Sequence, residues 1–436
     1  MVYVAIGICV FSAVLSIKIG KKILNPMSLF MVVWAVMLYM NSLRLFTLFE
    51  TDNKYYVMIA LGLAMFLLGY IIASSVKKNK ILKIRLHNQN TARVYILCMV
   101  VLILLLVKFM QNISIISSLG LAGIRKALQT GELVTYDDGS ILMPFLWQIV
   151  ILPARMALSV VVAVDFFKGK KNKILLMMYA IIILFSVLID GGRSVILNFI
   201  IHIVFAFYYG YIKKKRINKG TFTNKWVTII NKKSIKVFVG AFIVVVGFLV
   251  AFIIATLKRS GENSIRHLYY YGSIPPVMFN IWSEIVDERE IVGFGLVSLN
   301  GFLSPFLYAI KILVGSDSLP FYWGKVVEMI YETDSVWVRT SSLSHSNAYV
   351  SLFWFFYLDG RILGVIVGMF LYGFFSNKIF QGYNQSKSQY NLCLLLLWIQ
   401  GLLFSGVRFQ FAVMPYALAF IYIGLLFYDK KKELTR

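Results

Sequence analysis

Long apolar runs recur along the whole chain, separated by short polar connections, and that pattern limits the fold more than any other feature. A helix needs about twenty apolar residues to cross the hydrocarbon core of a bilayer. Eleven stretches meet or approach this length: about 2–17, 25–41, 56–75, 94–110, 146–167, 174–189, 195–212, 237–257, 350–377 (interrupted), 391–407 and 409–428. Of the 436 residues, 59% are hydrophobic and 14% charged, whereas a soluble domain has roughly 45–50% apolar and about 25% charged residues. This excludes an ordinary soluble enzyme, and the apolar content also excludes a disordered chain. Met1–Ile17 has neither a basic leader nor a small-residue cleavage site, so it reads as a retained first span and not as a signal peptide.

The connections alternate in charge. One set (18–22, 77–93, 168–173, 213–236, 378–387 and the tail from 430) carries 28 Lys and Arg, while the short connections of the other set (about 42–55, 111–141, 190–194 and 408) carry six. Basic residues in short loops stay on the cytoplasmic side, so the N-terminus is expected outside and the C-terminus inside. The net charge of +25 is therefore a topology signal, and no nucleic-acid partner is expected. The fold expected is an all-α polytopic membrane protein: an N-terminal bundle over 1–257 with about eight spans, an extracytoplasmic cap over 258–348, and a C-terminal bundle over 349–436 with about three. The cap carries seven basic and nine acidic residues and is rich in aromatics. Within it the glycine-rich apolar stretch 291–314 reads as interfacial or re-entrant helix.

Several chemistries find no support. No phosphate-binding loop of the form Gly-x4-Gly-Lys-Ser/Thr occurs, and Gly293-Phe-Gly295 lacks the strand–helix setting of a dinucleotide site. The four histidines and three cysteines have no metal-ligand spacing. No metal and no cofactor is expected, so any reaction must draw on an activated substrate or an ion gradient.

The polar residues that need explaining lie on the outer side. Asp190-Gly-Gly-Arg-Ser194 joins two spans; its glycines allow a tight turn with positive φ, and Arg193 beside a helix N-terminus suits an anion. Arg155 lies inside an apolar run, where an arginine costs at least about 2.5–3.5 kcal/mol unless it meets a partner or a wet cavity. Asp190, Asp359 or an anionic ligand are its candidate partners. Arg339-Thr-Ser-Ser-Leu-Ser-His-Ser-Asn347 gathers hydroxyls, an amide, Arg339 and His345, a set suited to a polyhydroxylated substrate. Histidine is the side chain whose ordinary pKa lies nearest neutrality, which makes His345 a candidate base. Asp359-Gly-Arg361 interrupts the ninth span, either as a turn between a short outer helix and a span from about Ile362, or as a helix broken at a cavity. Arg408 separates the last two spans. Each arginine alone has the reading of a snorkelling side chain. Arg155, Arg193, Arg361 and Arg408 together, with Arg259, Arg266 and Arg339 in the loop, suggest a diphosphate-bearing ligand.

At this point the chain resembles the oligosaccharide repeat unit polymerases, the Wzy-type polymerases of O-antigen and capsule assembly. The resemblance is carried by Leu24-Asn-Pro26-Met-Ser-Leu-Phe30 through Trp34, by Gly191-Gly-Arg-Ser194, by the large late loop, and by Asn347-Ala-Tyr349 and Tyr357-Leu-Asp-Gly-Arg-Ile-Leu-Gly364. It implies a fold similar to membrane-embedded glycosyltransferases of the GT-C type, at the outer face of a bacterial cytoplasmic membrane. It also implies a substrate, an oligosaccharide linked to undecaprenyl diphosphate, whose growing chain moves to a hydroxyl of an incoming unit. A flippase and a chain-length co-polymerase are the implied partners besides the bilayer. In that scheme Arg155 and Arg193 neutralise the leaving diphosphate, Arg339 and Arg408 hold the second diphosphate or the sugars, and His345, or else Asp190 or Asp359, takes the acceptor proton. An O-antigen ligase, with the same donor and another acceptor, and a lipid-oligosaccharide flippase are the alternatives.

Overall fold

A computed structural model describes residues 1–20, 22–76, 89–130, 145–168, 171–190, 192–211, 214–216, 226–228, 264–314 and 321–428. The chain is mostly helical. The helices are α1 (Val2–Gly20), α2 (Pro26–Ser42), α3 (Asn53–Ser75), α4 (Thr91–Thr130), α5 (Leu152–Lys168), α6 (Lys173–Asp190), α7 (Ser194–Tyr211), α8 (Ser264–Ser273), α9 (Pro275–Glu288), α10 (Leu296–Val314), α11 (Phe321–Ser335), α12 (Ser351–Ser386), α13 (Gln389–Leu403) and α14 (Met414–Phe427). Two short antiparallel pairs interrupt them: β1 (Lys214–Arg216) with β2 (Trp226–Thr228), and β3 (Val338–Ser341) with β4 (Ser344–Ser346).

By length and composition, five helices can cross a membrane: Asn53–Ser75, Thr91–Ser114, Trp147–Lys168, Lys173–Asp190 and Ser351–Ser386. Six shorter apolar helices, Leu296–Ile310 among them, accompany these among the described residues. Ten of the eleven expected spans fall on such helices, and the eighth, 237–257, lies outside the described residues, as do Gly191 and Arg259. The connection expected over 111–141 is helical as far as Thr130, with a kink at Gly120, whose φ is 62°. The expected spans 391–407 and 409–428 are shorter than their apolar runs, because residues 404–413 leave the helix.

The helices pack as two compact units that cut across the order of the sequence. One is built from the described residues of Met1–Lys83, Ala255–Ser386 and Trp398–Ala417, the other from those of Ile84–Ile254, Lys387–Leu397 and Leu418–Arg436.

In the first unit, α2 starts on a reciprocal cap. The Asn25 side chain accepts from the Ser28 N–H at 3.0 Å, and the Asn25 N–H donates to Ser28 Oγ at 3.1 Å, with Pro26 in the first turn. Two otherwise unpaired N–H groups at the helix end are thereby settled, and Pro26 brings none of its own. The Asn-Pro-Met-Ser sequence thus has a local structural meaning.

Backbones meet directly between α3 and α12. A Cβ on Gly69 would stand 2.0 Å from the Phe370 carbonyl oxygen, and one on Gly373 would stand 2.1 Å from that of Phe66. Close approach lets Asn377 Nδ2 donate to the Tyr70 carbonyl at 2.6 Å, the small-residue packing that membrane helices use in place of a hydrophobic driving force.

The interruption at Asp359-Gly-Arg361 is a sharp turn. In a straight helix Phe356 and Gly368 would be separated by about 18 Å along the axis, yet a Cβ on Gly368 would lie 2.4 Å from the Phe356 ring. Arg361 takes φ 53° at the turn. The arm before it, Ser351–Asp359, is buried throughout, whereas the arm after it exposes Leu363, Val367, Leu371 and Phe375 in a helical stripe. Of the two forms expected for this interruption, the turn between a short helix and a longer apolar one is observed.

Candidate functional site

The eight candidate side chains divide between the two units. Arg155, Asp190 and Arg193 belong to the second, and Arg339, His345, Asp359, Arg361 and Arg408 to the first.

In the second unit, the segment leading to Arg155 is shaped by Pro153. A proline has no N–H to offer the carbonyl four residues back, and that carbonyl, Ile149, accepts instead from the Tyr422 hydroxyl at 3.0 Å. The preceding turn, Trp147–Ile151, widens to a π-helical form, a distortion that often accompanies functional positions. Two residues beyond the proline, Arg155 Nη1 donates to Asp190 Oδ2 at 3.0 Å, their side chains 13% and 28% exposed. The Tyr179 hydroxyl donates to the Arg155 carbonyl at 3.1 Å. Of the partners open to Arg155, Asp190 is the one it meets. Asp190 ends α6 and Arg193 immediately precedes α7, its carbonyl accepting from the Leu197 N–H at 3.2 Å. Gly192 does not take the positive φ that the glycines of this turn allow; Gly191 lies outside the described residues.

Deeper in this unit, Ser159 Oγ and His202 Nδ1 lie 2.7 Å apart, both side chains buried. Sequence reasoning passed over this pair, since residues 43 positions apart on two apolar helices carry no shared motif.

In the first unit, Arg339 and His345 are directly opposed across the β3–β4 hairpin, so their side chains share one face, and both are exposed. The hairpin is held rigidly. Phe49 N–H donates to the Thr340 carbonyl at 3.0 Å, the Tyr270 hydroxyl and Ser341 Oγ lie 2.9 Å apart, and Thr340 Oγ1 meets Ser346 Oγ at 3.0 Å. The Arg339 guanidinium lies 6.0 Å from the centre of the Phe49 ring, within cation–π range.

Arg408 makes a two-pronged pair with Asp334, Nη1 donating to Oδ2 at 2.9 Å and Nη2 to the other oxygen. Asn347 Nδ2 donates to the Asp334 carbonyl at 2.5 Å. These contacts join the end of α11, the exit of the hairpin and the 404–413 segment. Asp334 counted in the sequence only as one of the loop acids; its partner lies 74 residues away, and no local pattern signals it.

Asp359 and Arg361 hold the turn of α12 together. The Asp359 carboxylate accepts from the Val297 and Ser298 N–H groups, each at 2.9 Å, and from the Ser298 hydroxyl. It therefore caps the first turn of α10, where unpaired donors favour an anion. Arg361 donates from Nη2 to the Val286 carbonyl, from Nη1 to the Ile291 carbonyl and from Nε to Asp287, all at 2.9 Å. Every prong of its guanidinium is engaged. Asp287 also accepts from the Tyr357 hydroxyl, at 2.8 and 2.9 Å to its two oxygens. These two sequence-derived candidates are thus committed to protein groups, Asp359 against a helix end and Arg361 against carbonyls.

Among the described candidates, Arg339 with His345 is an exposed pair of the right chemistry for a polar substrate, while Arg155 and Arg408 are held by carboxylates an incoming anion would have to replace. Among the described residues no group of three or more His, Cys, Asp or Glu is placed to hold a metal ion. No protein-family model matches the chain, and no curated protein or solved structure matches it either.

Proposed function

We propose that the chain is a glycosyltransferase of the outer face of a bacterial cytoplasmic membrane, polymerising oligosaccharide repeat units from an undecaprenyl-diphosphate donor. The observation that carries this reading is the opposed Arg339–His345 pair on a hydroxyl-rich hairpin that leads, through the short arm Ser351–Asp359 and its turn, to the longer apolar arm of α12. The resemblance in sequence and the alternation of basic loops, which put this hairpin on the outer side, support the same conclusion.

In the proposed reaction a hydroxyl oxygen of the incoming unit attacks the anomeric carbon of the growing chain. The bond from that carbon to the diphosphate oxygen breaks, and the lipid diphosphate leaves with the electron pair. His345 accepts the hydroxyl proton. Asp359 does not serve as the base, because both its oxygens already accept from α10. For Arg155 and Arg193, on the second unit, the resemblance implies neutralisation of a lipid diphosphate, a stabilisation that matters most as charge develops. Arg339 and Arg408 hold sugar hydroxyls or the second diphosphate, and Arg361 holds the turn of α12.

Deletion of the gene tests the reading by gel electrophoresis of the surface glycan. Reduction of the ladder to a single repeat unit is the expected result. Full-length polymer retained on the lipid carrier would instead indicate a ligase, and units trapped on the inner leaflet a flippase. Loss of one diphosphate-binding arginine should reduce polymerisation by roughly 10²–10³-fold, and ordinary ladders from the combined Arg155→Ala and Arg193→Ala variant would overturn these roles.

A further inference from the structure

The connection between α2 and α3 has an unusual character for a polar link. Leu43, Leu45, Phe46 and Phe49 are 38–48% exposed. Arg44, Phe46 and Thr47 all take positive φ, a conformation that residues with side chains rarely adopt. Such backbone persists only where its surroundings hold it, and here two tyrosines of α8 do so. The Tyr269 hydroxyl donates to the Met40 carbonyl at 2.7 Å and accepts from the Leu45 N–H at 3.0 Å, while the Tyr270 hydroxyl donates to the Phe46 carbonyl at 2.7 Å. Burial pushes the Tyr269 phenol above its ordinary pKa, so it stays a donor. The link is therefore fastened on its inner side while its apolar side chains are turned outward.

Those side chains continue a surface already present on α2. Val32, Val36, Tyr39 and Leu43 are 44–56% exposed and spaced four, three and four residues apart, a single stripe along the helix. On the other side the hairpin joins the link: Leu48 bridges to Ser341, and Thr47 Oγ1 bonds Ser342 Oγ, next to Leu343, which is 54% exposed. Exposed apolar side chains thus occur on the membrane-type helix, on the link and at the hairpin tip, with the exposed Thr47–Ser342 pair joining the last two. Arg44 is paired with Glu50, so the link offers no uncompensated cation and its fit is to the apolar boundary of a bilayer, where aromatic side chains with polar neighbours collect.

We propose that the α2–α3 link and the tip of the β3–β4 hairpin form an interfacial anchor, with Leu45, Phe46 and Leu343 immersed at the boundary between headgroups and acyl chains of a phospholipid bilayer. The anchor rests on membrane embedding alone and not on glycosyl transfer. Its consequence for the candidate site is that Arg339 and His345 sit at headgroup depth, where a lipid diphosphate would lie.

The native cysteines Cys9, Cys98 and Cys393 are buried, so a cysteine at an exposed position can be labelled selectively in the full chain. Spin labels on Phe46→Cys and Leu343→Cys, in phosphatidylcholine nanodiscs, are compared with one on Val36→Cys in the α2 stripe. The expected result is that both labels collide more with oxygen than with a water-soluble nickel chelate, by a smaller margin than at position 36. Free access of the chelate, as for a label in water, would overturn the anchor. Shielding from both reagents would also overturn it, by showing that protein and not lipid covers the link. Leu343 is a surface group, whereas the Phe46 ring meets those of Tyr269 and Tyr270 edge-on at 5.6 and 6.4 Å, so the label at position 343 decides the outcome if Phe46→Cys fails to fold, and the glycan ladder of a deletion strain has no bearing on it.

Discussion

The two units solve the same problem, polar groups among apolar helices, by different means. In the first, the polar groups are largely backbone. The short arm Ser351–Asp359 has its opening N–H groups bonded to the Val407 and Ser405 carbonyls at 3.2 and 2.8 Å, and its closing carbonyls, Leu358 and Asp359, accept from Gly293 and Phe294 at 2.7 and 2.9 Å. Both ends of a buried helix are thereby paired with other stretches of main chain, as irregular backbone inside such a protein must be. In the second unit the helices run on and side chains carry the pairing, with one another, Arg155 with Asp190 and Ser159 with His202, or with a single freed carbonyl, Tyr422 with Ile149. A defect in the first unit therefore exposes main-chain groups on several segments at once, while a defect in the second is confined to a pair.

That contrast predicts an order of damage. The largest effect is expected from Gly373→Leu, since even a Cβ at this position would stand 2.1 Å from the Phe66 carbonyl oxygen and neither backbone can yield without unpairing the Asn377 contact. Overpacking of this kind costs about 3 kcal/mol or more, and monodisperse folded protein should be lost from detergent extracts in size-exclusion chromatography. Recovery of wild-type amounts would mean that the backbones are not in contact.

Next comes Asp359→Ala, which strips the cap from α10. The freed N–H groups should cost about 2 kcal/mol, read as a lowered Tm in bicelles, with Asp359→Asn intermediate because it keeps an acceptor. Equal losses in Asn and Ala variants would instead point to the charge itself.

Arg155→Ala should follow, at about 1–3 kcal/mol, because it leaves the Asp190 carboxylate without its partner. Removing Asp190 as well should restore part of that stability, with a coupling of at least about 0.5 kcal/mol, while polymerisation stays lost. A double variant that regains both stability and polymerisation would show the pair to be structural only.

The smallest effect is expected from Ser159→Ala, about 1 kcal/mol for one buried hydrogen bond. A larger loss would show that the Ser159–His202 pair reaches beyond itself and would narrow the difference between the units.

Much of the fold could be read from the residues in order. The apolar runs located ten helices, and Asp359-Gly-Arg361 marked a break. These are local signals, set by propensity and by groups within a few positions. The candidate site was legible only as an inventory. Arg155, Arg361 and Arg408 stood out because a charge in an apolar run needs an explanation, yet their sequence gave no means of telling a ligand contact from a tether. Arg361 turned out to brace α9, and Asp359 to cap α10.

By itself the sequence determined that this protein is helical, apolar and built of membrane-length segments, because those properties depend on composition and on periods of a few residues. Tertiary structure alone decided which charge meets which. Asp190 lies 35 residues from Arg155, Asp334 74 residues from Arg408, and Asp287 two helices and a hairpin from Arg361. An ion pair forms wherever the chain brings two groups within a few ångströms, and that depends on how helices pack, down to two glycines that let one backbone touch another.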